Sequence, residues 1–121
     1  MKIFVILAGV FGMLGVATGA FGAHALEDRV TPDLLEVWET AVQYQMYHAL
    51  ALFGVAWLYQ QTTSTEALVA GWSFAAGILV FSGSLYILVL TGVRGLGAIT
   101  PIGGLAMMVG WLCCILAALK L

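Results

Sequence analysis

Apolar residues run along this chain in four long stretches, separated by short clusters that hold nearly all the charge. Residues 3–26, 40–65, 67–93 and 95–119 contain no Asp, Glu, Lys or Arg, so the stretches are 24, 26, 27 and 25 residues long. A bilayer core about 30 Å thick is crossed by about 20 helical residues. The pattern therefore predicts four membrane-spanning helices over residues 3–25, 41–59, 66–90 and 102–119, forming a single domain over 1–121. A soluble bundle would need a charged outer face on every helix at the 3.6-residue period. None of the four stretches supplies one.

The first stretch follows the short positive start Met1-Lys2 and ends in small residues near His24, as a signal peptide would. Its apolar run of about 20 residues exceeds the 7–15 residues of a signal core, so it reads as helix 1. It carries Gly9, Gly12, Gly15, Gly19 and Gly22, which fall on one broad helical face. Gly15 and Gly19 form a GxxxG pair, extended by Ala23. Small residues let helix backbones approach closely in lipid. A packing face within the chain is the favoured reading, ahead of a dimer seam.

Between the first two stretches, Thr31-Pro32-Asp33 is a helix start: a hydroxyl cap, proline at the first position, then an acid near the positive end. Leu34, Leu35 and Trp38 share one face beyond it, and Asp33, Glu36 and Thr40 another. This predicts a short amphipathic interfacial helix that runs into helix 2, with Trp38 at headgroup level. Thr62, Thr63, Ser64 and Thr65 make the next turn. Gly92, Gly95, Gly97 and Pro101 mark a loop before helix 4. The fold class is thus all-α: an integral membrane four-helix bundle with a short amphipathic interfacial helix between helices 1 and 2.

Composition strengthens this picture. Of 121 residues, 63% are hydrophobic and 8% charged, where a soluble domain averages about 25% charged. That excludes a disordered chain, a nucleic-acid binder with a basic face and an ordinary soluble enzyme. A net charge of −2 is too small to specify a charged partner. Lys2 and Lys120 lie at the end of the bundle that holds both termini, and Arg29 and Arg94 lie at the other. Positive charge thus favours termini in the cytoplasm by a small margin.

Helix 2 is unusually polar for a span: Gln43, Tyr44, Gln45, Tyr47 and His48 crowd its first half. His48 lies eight residues beyond Thr40, or about 12 Å deep. A polar group at that depth needs a partner. Tyr44, Gln45, Thr18 and the Ser82–Ser84 patch of helix 3 are the candidates. The predicted cluster comprises His24, Gln43, Tyr44, Tyr47, His48, Ser82, Ser84 and Tyr86, with His24 and His48 both turned toward helix 3. Three readings of it compete. The first is a satisfied network that fixes helix packing; the second is a site for a small polar ligand, lipid headgroup or ion. The third, a metal or haem site, lacks a helical ligand motif such as HExxH. No cofactor, metal site or catalytic residue is assigned. Cys113 and Cys114 are adjacent on helix 4 and read as apolar packing residues rather than a disulfide.

Four ordered strings carry a resemblance. GAFGAHAL at 19–26, QYQMYHAL at 43–50, FSGSLY at 81–86 and TPIGG at 100–104, followed by Gly110-Trp111, resemble the small bacterial membrane proteins of domain-of-unknown-function family 423. Vertebrate transmembrane protein 256 is similar. The matching positions include His24, Gln43, Tyr47, His48, Ser82, Ser84, Tyr86, Thr100 and Pro101. The resemblance covers almost the whole chain and implies a four-span integral membrane protein; the expected place is the bacterial inner membrane, multi-pass and in contact with the lipid bilayer. It implies no reaction or ligand. The expected function is structural or accessory, through contacts with lipid, a membrane protein partner or a second copy, and not with nucleic acid. The alternative is a binding or transport module for a small polar ligand, lipid headgroup or ion centred on His24 and His48. An enzyme ranks third.

Overall fold

A computed structural model describes residues 2–121, and every regular element in it is helical. Helix α1 occupies Lys2–Leu26, its last turn, Gly22–Leu26, widening to a π-helix. Helix α2 covers Pro32–Thr62, α3 covers Thr65–Thr91 and α4 covers Thr100–Ala118. A short 3₁₀ turn, Arg94–Ala98, leads into α4. Three of these segments, ending at Leu26, Thr91 and Ala118, are long and apolar enough to cross a membrane. At 31 residues α2 is the longest helix, about 46 Å at 1.5 Å per residue. Its polar residues keep it out of that apolar group.

The expected interfacial helix is not a separate element. Thr31 is extended (φ −67°, ψ 156°), Pro32 opens the helix, and α2 continues unbroken to Thr62. No glycine or proline lies between Asp33 and Phe53 to interrupt it. The Thr31 hydroxyl also departs from the capping role expected of it. It donates to the Asp33 carboxylate instead of capping the backbone. Ser64 caps α3, its hydroxyl accepting from the Ala67 amide at 3.2 Å.

Helices α2 and α3 form the central pair. The apolar window of α3 is 50% buried, against 22% each for α1 and α4. Helix α1 packs along α2; α4 packs along α3 and also touches α2. The chain turns back at each connection, so neighbouring helices run antiparallel. Asp33 and Arg94 pair at one end of the bundle at 3.0 Å, and Glu66 and Lys120 at the other at 2.8 Å.

Glycine sets how closely the helices approach. A Cβ on Gly15 would strike the Met46 side chain, and one on Gly19 would touch Val42 at 3.4 Å. The GxxxG pair therefore serves the α1–α2 seam within the chain. Gly9 and Gly12 have open space where a side chain would go, so the glycines of α1 do not share one packed face. Contact is tightest between α3 and α4. A Cβ on Gly103 would run into the backbone of Phe81, and one on Gly77 would lie 3.1 Å from the Gly103 carbonyl oxygen. Phe81 belongs to a π-helical turn, Ile78–Ser82, set within α3. There the Gly83 amide reaches back five residues to the Ile78 carbonyl.

Candidate functional site

Three hydrogen-bonded groups tie the helices together in the half of the bundle near the acidic connection. The first joins α1, α2 and α3. Gln45 donates from Nε2 to the Phe11 carbonyl of α1 at 2.8 Å, and its Oε1 accepts from the Tyr86 hydroxyl of α3 at 2.6 Å. Thr18 Oγ1 lies 3.1 Å from the Tyr86 oxygen and 3.1 Å from the Gly15 carbonyl. The Tyr86 proton is committed to Gln45, so the Thr18 proton is shared between Tyr86 and Gly15. Trp38 donates its indole N–H to the Thr18 carbonyl at 2.8 Å, and Ser82 donates to the Ala41 carbonyl at 2.7 Å. Tilted aromatic rings support the group: Trp38 and Tyr86 lie 4.6 Å apart, centroid to centroid, at 55°.

The second group joins α2 and α4 through His48. Its Nδ1 lies 2.7 Å from the Tyr44 carbonyl, and its Nε2 lies 3.0 Å from Trp111 Nε1. These partners determine the tautomer. A carbonyl only accepts and an indole N–H only donates. The ring is therefore neutral, with its proton on Nδ1 and the Nε2 lone pair engaged by Trp111. No lone pair is left for a metal in this arrangement. The third group joins α3 and α4: Ser84 donates to the Phe81 carbonyl at 2.9 Å and accepts from Thr100 at 2.6 Å.

Among the described residues no buried side-chain nitrogen or oxygen lacks a partner. Nor do three or more His, Cys, Asp or Glu side chains converge as metal ligands among them. The predicted cluster thus divides into an inner and an outer set. His48, Ser82, Ser84 and Tyr86 are inside and bonded. Gln43, Tyr44 and Tyr47 belong to α2 but are exposed, and their side-chain polar groups bond no other helix. His24 is exposed in the π-turn that ends α1 and joins none of the groups. The two histidines therefore do not form one centre facing α3. His48 packs on Phe74 of α3 at 5.2 Å but hydrogen-bonds α4. Of its candidate partners, only Tyr44 serves, through its carbonyl; Gln45 and Thr18 serve Tyr86 instead.

Trp38, Thr100 and Trp111 also carry the site, though the reading from sequence left them outside the cluster. Trp38 is buried, with its indole turned to α1. A signal for Trp111 was present: an indole N–H in an apolar helix needs an acceptor, and His48 is one of few available.

Comparison with known proteins agrees with this architecture. Residues 18–104, which hold nearly the whole network, match the family model described as Protein of unknown function (DUF423). The chain belongs to this family. It is 52% identical over 120 residues to a UPF0382 membrane protein of Staphylococcus epidermidis, covering 99% of this chain and 98% of that one. It is 50% identical over 121 residues to the UPF0382 membrane protein YwdK of Bacillus subtilis, with the same coverage of each. No solved structure matches. Like these DUF423 relatives, the chain is a small bacterial multi-pass membrane protein whose biochemical activity is not established.

Proposed function

We propose that all four helices cross the bilayer and that the protein is an accessory membrane protein, docking a partner transmembrane helix along the outward face of α2. Hydrogen bonds and glycine contacts link α2 to α1 from Trp38 down to Gln45 and Met46, which supports placing it at the same depths as that apolar helix.

One observation carries the docking reading: the polar groups of α2 divide by direction. Those turned inward are all paired, whereas Gln43, Tyr44 and Tyr47 are exposed and their polar groups bond no other helix, the Tyr44 ring alone stacking on Phe81 of α3. Lipid offers such groups no hydrogen bond. Glu39, Gln43 and Tyr47 follow one another at four-residue spacing as a ridge between two hollows. One, of about 190 Å³, is floored by Gly19, Gly22 and Ala23 of α1. The other, of about 380 Å³, is walled by Gly104, Met107, Met108 and Trp111 of α4. A helix bearing a polar side chain fits such a surface.

A photo-crosslinking residue placed at Tyr47 or at Ile115, on the outward face of α4, tests this in cells. Protein adducts are expected from position 47 and lipid adducts alone from position 115. Lipid adducts alone from both positions would end the reading.

The hollow of about 380 Å³ favours a second reading, a small polar ligand held beside His48 by the Tyr44 and Tyr47 hydroxyls. Native mass spectrometry of the purified protein would then show an adduct that disappears in Tyr47→Phe.

A further inference from the structure

A hollow of about 480 Å³ lies at the end remote from the hydrogen-bonded groups. It opens between the first turn of α1, through Lys2 and Val5, and the last two turns of α2, through Ala56, Tyr59, Gln60 and Thr63. Positions 56, 59, 60 and 63 share one helical face. We propose that this cleft binds the phosphate headgroup of an anionic phospholipid.

The donors are of the right kind and are free. Lys2, Tyr59, Gln60 and Thr63, which line the cleft, carry an ammonium, two hydroxyls and an amide. None is engaged by another side chain among the described residues. Together they offer N–H and O–H groups to a phosphodiester, whose charged oxygens only accept.

Charge at this end favours an anion. Its single acidic side chain, Glu66, is taken by Lys120 at 2.8 Å, which leaves Lys2 without an acidic side-chain partner among the described residues. The last carbonyls of α2 oppose an anion through the helix dipole, but Tyr59 O is already engaged by the Thr63 amide at 2.7 Å. Thr63 makes that bond from a left-handed conformation (φ 46°), a conformation β-branched residues seldom adopt.

The surroundings select a lipid over free phosphate. Val5 and Ala56 form apolar walls, and Gly9, further down the same side of α1, leaves open space for a chain. The cleft lies at the ends of two helices, where headgroups sit, and Lys2 and Tyr59 are residue types enriched at that level. A zwitterionic headgroup brings an ammonium of its own, and no carboxylate in the cleft answers it.

Native mass spectrometry of the delipidated full chain tests the assignment, with dioleoyl-phosphatidylglycerol or dioleoyl-phosphatidylethanolamine added at equal concentration. The wild type should retain the glycerol lipid preferentially. Lys2→Gln should lower that retention about five-fold, the value of one surface lysine against an anionic lipid. Gln60→Leu, which leaves all charges in place, should lower it less, while Arg29→Gln at the opposite end should leave it unchanged. Equal retention of the two lipids, or unchanged retention in both Lys2→Gln and Gln60→Leu, would overturn the proposal. A Lys2-dependent rise in thermal stability with inorganic phosphate that matches the rise with the glycerol lipid would overturn the choice of a lipid.

Discussion

The two halves of the bundle hold their helices together by different means. Toward the termini the core is dry: Phe4, Leu52, Val55, Ala70 and Phe74 are buried and interlock by shape. The Phe4 ring occupies the place of a side chain at Gly71, and the Phe74 ring fills the place beside Gly110. Toward the acidic connection, Gln45, Tyr86, Trp38, Ser82, His48 and Trp111 cross from helix to helix by hydrogen bonds. In lipid neither half gains from the hydrophobic effect, so each relies on what lipid cannot match. The dry half uses packing closer than acyl chains allow. The polar half uses partners that acyl chains do not have. The first tolerates no added volume, and the second tolerates no lost partner.

Substitutions test that difference in order of expected effect. Gly103→Ala strikes the seam between the halves, where the neighbour is the Phe81 backbone and cannot swing away. It should cost about 3 kcal/mol, seen as a lowered midpoint of reversible unfolding in mixed micelles. Gly71→Ala, which meets only the Phe4 ring, should cost about 2 kcal/mol in the same measurement. An unchanged midpoint in both would show that the helices separate easily and that shape is not what holds the dry half.

Gln45→Leu removes the bonds to Phe11 and Tyr86 with little change of volume. It should cost about 1 kcal/mol, in keeping with interhelical hydrogen bonds in membranes. Tyr86→Phe should add little once Gln45 is gone, so a double-mutant cycle should show coupling. Trp111→Phe deletes only the indole donor to His48 and should cost about 0.6 kcal/mol.

The smallest effect is expected from the exposed pair at the bundle end. The Thr31 hydroxyl, and after it Arg94, hold the Asp33 carboxyl below its ordinary value of 3.8. The folded state therefore gains from Asp33 above that value, and the gain is lost as pH falls through the lower folded-state value. Arg94→Gln should shrink this acid-side loss in unfolding experiments below pH 4 and leave stability at pH 7 almost unchanged.

The ends of α3 and the start of α2 were legible because charge is so scarce, but the full length of α2 was not, since its interfacial turn and its span form one helix. Glu66 and Arg94 bracket α3, and Thr31-Pro32 opens α2. The small residues of the α1–α2 seam were legible too, at Gly15 and Gly19. Directions were not. Gln43 and Gln45 differ by two positions on one helix, yet one faces outward and the other touches both neighbours. Periodicity separates such residues only where polar and apolar positions alternate cleanly, and residues 43–48 are polar almost throughout. Pairing across helices was equally hidden, because Tyr86 and Gln45 are 41 residues apart and their meeting depends on the rotation of α3.

That rotation has its own source. The π-turn at Ile78–Ser82 inserts one residue into the cycle of α3, which advances everything after it by about 100°. The helix thus contains two reading frames, one that presents Phe74 and Gly77 to the dry core and one that presents Ser82, Ser84 and Tyr86 to the polar half. Removing a single residue within the turn would merge the frames and swing the second set toward lipid. In this helix the number of residues is as informative as their kind, and a chain one residue shorter there would need its hydrogen-bonding residues re-spaced.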